Sequence, residues 1–168
     1  PQINAIVVLD GNGARLSAKY YNKDRFPTKA KQLEFEESLF KKTRSSTSSR
    51  IEAEVAVLEH LTVVFKSGTN VTFYVIGAED ENELILSAVL DALVEALLAL
   101  FKTPELEPRL ILEHIELLFL TIDELVDGGI ILEVDAGAIK DRVLLKGAVP
   151  EAMSSYSEMT VASVRQAA

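Results

Sequence analysis

The chain contains no cysteine and no tryptophan, and it has only two histidines and two methionines among 168 residues. Without cysteine there can be no disulfide framework, thiolate metal site or thiol nucleophile, and a reducing compartment is the expected one. His60 and His114 lie far apart in sequence and outside any two-ligand spacing, so a histidine metal centre is not expected and both read as structural residues. Glycine-rich phosphate loops are missing as well: Gly11-Asn12-Gly13 sits between two strand-like runs, and Gly128-Gly129 follows a helical pattern where a phosphate loop would precede one. There is no nucleophile elbow. The adjacent acids Asp123 and Glu124 do not make a catalytic dyad, because neighbouring helix positions diverge. No cofactor is implied and no enzyme activity is expected.

Positive charge is also scarce. The formal net charge is -9, which argues against nucleic acid or an anionic membrane as the main partner, since both demand clustered Lys and Arg. The imbalance is uneven: residues 1 to 50 hold ten basic against five acidic side chains, and the remainder hold seven against twenty-one. No charged leader followed by an apolar segment and cleavage site precedes the first strand-like run, so cytosol is the expected location.

What the chain has in abundance is apolar helix. Glu81 to Lys102, ENELILSAVLDALVEALLALFK, is polar between Leu84 and Phe101 only at Ser87, Asp91 and Glu95, a narrow stripe four residues apart. Its length approaches that of a membrane span, but two acids at its centre and four more at its start oppose that reading. A second run, Pro108 to about Asp127, is again too apolar for one stripe. Helices covered in this way must be packed on nearly all sides, which points to an interaction protein. Some of Leu93, Leu97, Leu100, Phe101, Leu117 and Leu120 are expected to remain uncovered and to meet a partner.

Around these helices the pattern reads as strands. Gln2 to Asp10 and Ala14 to Tyr21 form a hairpin, with Leu16, Ala18 and Tyr20 expected on one face. A helix follows from Pro27 to about Arg44, with Leu33, Phe35, Leu39 and Phe40 as its apolar side. Ser45 to Ser49 reads as a polar loop. Three more strands are expected at Ile51 to Leu58, Leu61 to Lys66 and Val71 to Gly77. Ile130 to Val134 is extended, Asp135 caps a last helix to about Val143, and residues 148–168 read as a polar tail after a domain of residues 1–147. The fold class is therefore α+β: a five-stranded antiparallel sheet packed by helices, in the order β-β-α-β-β-β-α-α plus a short C-terminal helix.

This element order resembles the longin-like small chains of vesicle-coat adaptors. Leu120 to Glu133, LTIDELVDGGIILE, is similar to the signature of adaptor small subunits. AIVVLDGNGARLSAKYY, LEHLTVVFKSGTNVTFYVIG, ENELILSAVLDAL and RVLLKG are similar to the coatomer (COPI coat) zeta branch of that family. The resemblance covers about Ile3 to Gly147. It implies a non-catalytic coat subunit, stably paired with the coatomer gamma subunit and joined to other coatomer subunits. It implies recruitment to Golgi membranes by an Arf-family GTPase, and work in Golgi-to-ER retrograde and intra-Golgi transport. Clathrin-type small chains also hold dileucine signals, and alignment puts Val71 and Val94 near two positions of that pocket. A longin domain of a membrane-fusion protein shares the sheet but would continue into heptads, which these 168 residues do not contain.

Overall fold

The computed structural model describes residues 2–44 and 52–146. The expected Ser45–Ser49 loop, Ile51, Gly147 and the 148–168 tail lie outside the described residues. The elements are β1 (Ile3–Asp10), β2 (Arg15–Tyr20), α1 (Lys29–Thr43), β3 (Glu54–Leu58), β4 (Leu61–Gly68), β5 (Val71–Ala78), α2 (Glu83–Phe101), α3 (Pro108–Glu113), α4 (Ile115–Leu125), β6 (Val126–Asp127), β7 (Ile130–Ile131) and α5 (Ala136–Leu145). The five long strands form one antiparallel sheet in the order β2-β1-β5-β4-β3.

Because side chains alternate across a strand, the sheet presents two apolar faces. Ala5, Val7, Leu9, Val63, Phe65, Tyr74 and Ile76 point to the side covered by α1, whose Phe35 and Leu39 complete that core. Ile6, Val8, Val64, Val71, Phe73 and Val75 point to the opposite side, under α2, α4 and α5. Strand β1 is apolar on both faces because it lies inside the sheet, between β2 and β5.

The α1 face carries a fixed polar network. Glu36, only 3 % exposed, accepts a bond of 2.9 Å from Arg15 Nε, a second from Arg15 Nη2, and one of 2.8 Å from the Tyr20 hydroxyl. The paired bonds satisfy a buried carboxylate that would otherwise be costly. Tyr20, Phe26 and Phe35 stack in sequence at centroid distances of 4.7 and 4.9 Å. Burial first, and then the Glu36 carboxylate beside it, push the Tyr20 phenol well above the usual tyrosine range.

Several local expectations change. Helix α1 begins at Lys29, capped by the Thr28 hydroxyl, which accepts from Lys31 N, so Pro27 lies outside it. Leu33 is exposed; Phe35, Glu36 and Leu39 form the inward side. A register shift between Val8 and Leu9 in the β1–β2 pair sends Leu16 toward the α2 side while Ala18 and Tyr20 stay on the α1 side. A bulge reverses the alternation that a regular hairpin would keep.

The apolar run after Pro108 is two helices. His114 leaves helical geometry at φ -134, ψ 48, and its ring lies 6.2 Å from that of Phe101. Gly128 and Gly129, at φ +57 and +88, form the turn of the small β6–β7 hairpin, where a helix end was expected. Gly129 also lies where a Cβ would come within 2.8 Å of the Ile3 carbonyl oxygen, and its own carbonyl accepts from Ile3 N at 2.7 Å. That contact ties the C-terminal hairpin to the start of β1. Asp135 caps α5 as expected, accepting from Ala138 N at 2.8 Å.

Candidate functional site

The two candidate sites meet opposite outcomes. Leu93 and Leu97 are fully buried, Leu117 is 1 % exposed, and Leu100 and Phe101 are 5 % and 6 % exposed. These five are sealed inside the chain's own core, and only Leu120 is half-buried. The expectation that they would be left uncovered is corrected. Helix α2 packs on β4 and β5 below and on α4 and α5 at its sides, so four elements share the covering that the sequence alone attributed to a partner. By length and composition α2 could cross a membrane, yet it lies across a sheet with Leu84, Ala88, Glu95 and Ala99 as its exposed line. That spacing of four to seven residues is the single open face of a packed helix.

Leu84 at the start of α2 and Leu145 at the end of α5 are the most exposed large apolar side chains among the described residues, and others lie elsewhere. Leu112 on α3 and Phe119 on α4 are 56 % and 48 % exposed, and Ile130, Leu132 and Val134 stand out at alternate positions of the extended chain after α4. Val55 and Val57, on the edge strand β3, are exposed too. Val55 pairs with Val64 of β4, so it belongs to the α2 face of the sheet, beyond the reach of α2 itself.

The second candidate pair, Val71 and Val94, is brought together. Strand β5 starts at Val71 on the α2 face, and Val94 lies half-buried on α2; both line one groove of about 430 Å³. Its floor is Val71 and Phe73, its helical wall Val94 and Leu98, and its far wall Pro104 and Leu106 from the α2–α3 connection. The volume falls within the ~300–1,000 Å³ of ordinary ligand pockets. At the rim Lys66 Nζ reaches Asp91 Oδ1 at 3.7 Å, and the Thr69 hydroxyl donates to Glu105, tying the β4–β5 turn to the far wall. Phe73, Leu98 and Leu106 were not singled out from sequence. Phe73 was findable, two residues from Val71 on the same strand face, whereas Leu106 comes from a connection whose path no periodicity encodes.

Several of the remaining polar groups are employed in structure. Asp123 pairs with Lys19 at 2.6 Å and Glu124 with Lys146, so the two acids diverge as expected. His60 occupies the β3–β4 turn at φ +61, with Nδ1 3.3 Å from Glu79. Among the described residues no group of three or more His, Cys, Asp or Glu could hold a metal ion. The arrangement offers binding surfaces: a walled apolar groove and exposed apolar side chains.

Comparison with known proteins gives these surfaces a setting. A model of the clathrin adaptor complex small chain family matches residues 2–149. Human coatomer subunit zeta-1 is 45 % identical over 99 % of this chain and 88 % of its own length, and Arabidopsis thaliana coatomer subunit zeta-1 is 40 % identical over 96 % and 88 %. A chain in a homology model of the full-length AP-3 complex in a stretched open conformation superposes with a TM-score of 0.67 at 20 % identity. It covers 92 % of this chain and 98 % of that one, and shows the shared fold. Family match, near full-length identity and sheet topology agree that this chain belongs to the clathrin adaptor complex small chain family, within its coatomer zeta branch.

Proposed function

We propose that the chain is the small subunit of a COPI-type coat, held in a stable heterodimer with the coatomer gamma subunit and through it joined to the other coatomer subunits. The pair would reach Golgi membranes peripherally, recruited by an Arf-family GTPase in its GTP state, and act in Golgi-to-ER retrograde and intra-Golgi transport. The observation that carries the reading is identity of 40–45 % to coatomer zeta subunits across almost the whole chain. The fold supports it from below: Leu112, Phe119, Ile130 and Leu132 lie in water on a chain whose core is otherwise closed. Large apolar side chains outside a closed core are the material of a protein interface. Co-expression with the gamma subunit, followed by affinity purification and size-exclusion chromatography, is expected to yield a one-to-one complex; separate elution would refute the pairing.

A second reading is that the Val71–Val94 groove takes an aliphatic peptide of the dileucine kind. It is favoured by one observation, that both residues line the same walled cavity. Titration with a dileucine peptide is expected to give a saturable shift; a linear response would end it.

A further inference from the structure

We propose that Asn12 is a site of spontaneous deamidation and that the closure of the turn around it sets the rate. Of the five asparagines in the chain only Asn12 precedes a glycine, and it is exposed at the tip of the β1–β2 hairpin. Gly13 has no side chain to obstruct its own nitrogen. Once that nitrogen loses its proton it can attack Asn12 Cγ; the new N–C bond expels the amide nitrogen as ammonia, which takes up a proton, and leaves a cyclic imide. Water then opens the imide at either carbonyl, giving aspartate or isoaspartate at position 12 and adding a negative charge. No reactant besides water is needed.

The folded hairpin holds this nucleophile back. In the closed turn the Gly13 N–H donates to the Asp10 carbonyl at 3.0 Å, and Asp10 N donates to the Ala14 carbonyl at 2.8 Å. Asp10 Oδ1 accepts from Asn12 N at 2.8 Å and from Ala14 N at 2.9 Å, so one carboxylate pins the backbone on both sides of the reacting bond. Neighbours leave the turn little room to swing: a Cβ on Gly13 would come within 2.7 Å of Phe40 Cδ1, and one on Gly11 within 3.0 Å of Asn70 Oδ1. The nitrogen is free to attack only when the hairpin tip opens, a local event of lower free energy than global unfolding. Isoaspartate routes the main chain through the former side chain and lengthens it by a carbon. The tip then no longer matches its bonds to Asp10, and the ends of β1 and β2 lose their seat against Phe40 of α1.

The test follows the full chain at mildly alkaline pH by peptide mass spectrometry, which reads the mass gained when an amide becomes an acid. Asn22, followed by Lys23, serves as the internal reference. In denaturant Asn12 is expected to convert faster than Asn22. In the folded chain its rate is expected to fall at least about tenfold, the effect of one or two hydrogen bonds that must break first. Asp10→Ala, which removes the carboxylate acceptor, is expected to restore part of the denatured rate. Asp10→Ser, whose hydroxyl can still accept from the turn, is expected to restore less. Conversion of Asn12 no faster than Asn22 in denaturant would overturn the site. Equal rates for the folded and denatured parent chain, a comparison that needs no variant to fold, would overturn the restraint. A folded Asp10→Ala variant that deamidates at the parent's rate would overturn the part given to the Asp10 carboxylate.

Discussion

The two faces of the sheet are closed by different means. On the α1 face one amphipathic helix suffices, held by a buried carboxylate that joins Arg15 of β2 to the Tyr20 phenol and by a ladder of three aromatic rings. On the other face α2, α4 and α5 close a larger, almost wholly hydrocarbon core, and that side also carries the groove and most of the apolar side chains left outside. Directional bonds fix one helix in one place. Non-directional burial holds three helices together and tolerates openings at their margins. On the function proposed above, the α1 side is scaffold and the α2–α4 side is the surface that meets other molecules.

The contrast can be broken most severely from the hydrocarbon side. Leu97→Ala removes a fully buried side chain between α2 and its neighbours, and is expected to cost about 2–5 kcal/mol in denaturant unfolding. On the scaffold side Glu36→Ala leaves Arg15 and the Tyr20 hydroxyl without their shared acceptor, for about 1–3 kcal/mol by the same measurement. Rescue by Glu36→Gln is expected to be partial, because an amide accepts from the phenol but lacks the charge that Arg15 meets.

Alkaline pH probes both faces through their tyrosines. Burial is the largest cause raising the Tyr20, Tyr21 and Tyr74 phenols, so the folded state favours their neutral form. The folded value lies above the unfolded one. Their contribution is thus fully present below about pH 10 and lost as pH rises beyond it. A series of denaturant midpoints from pH 8 to 11 is expected to stay level and then fall.

The smallest stability effect is expected where the binding consequence is greatest. Phe119→Ser, at a side chain 48 % exposed, should change stability by no more than about 0.5 kcal/mol while weakening capture of the gamma subunit. Calorimetry and co-purification read the two quantities separately.

Much of this contrast was legible in the sequence. The strand runs, the hairpin turns, the Asp135 cap and the five-stranded antiparallel sheet follow from alternation and turn residues. Val71 and Val94, placed by resemblance, do line a common cavity. Helix boundaries and breaks were less visible: His114 interrupts the second apolar run without glycine or proline to announce it. The hidden quantity was how much covering each apolar residue receives. Leu93 and Leu97 read as surplus because periodicity counts the apolar residues of a helix but not the elements that will surround it, and α5 supplied cover that a short weakly patterned segment did not advertise. Glu36 was not singled out for the same reason, since its burial depends on Arg15 arriving from a distant strand.

The central claim is that this domain closes its own core and meets its large partner through side chains outside it. The direct test is gamma-subunit capture by the double variant Phe119→Ser/Leu132→Ser, with thermal unfolding of the free chain measured alongside. The account predicts an unfolding temperature within about 3 °C of the parent and loss of most of the captured subunit. Undiminished capture by a folded double variant would contradict it.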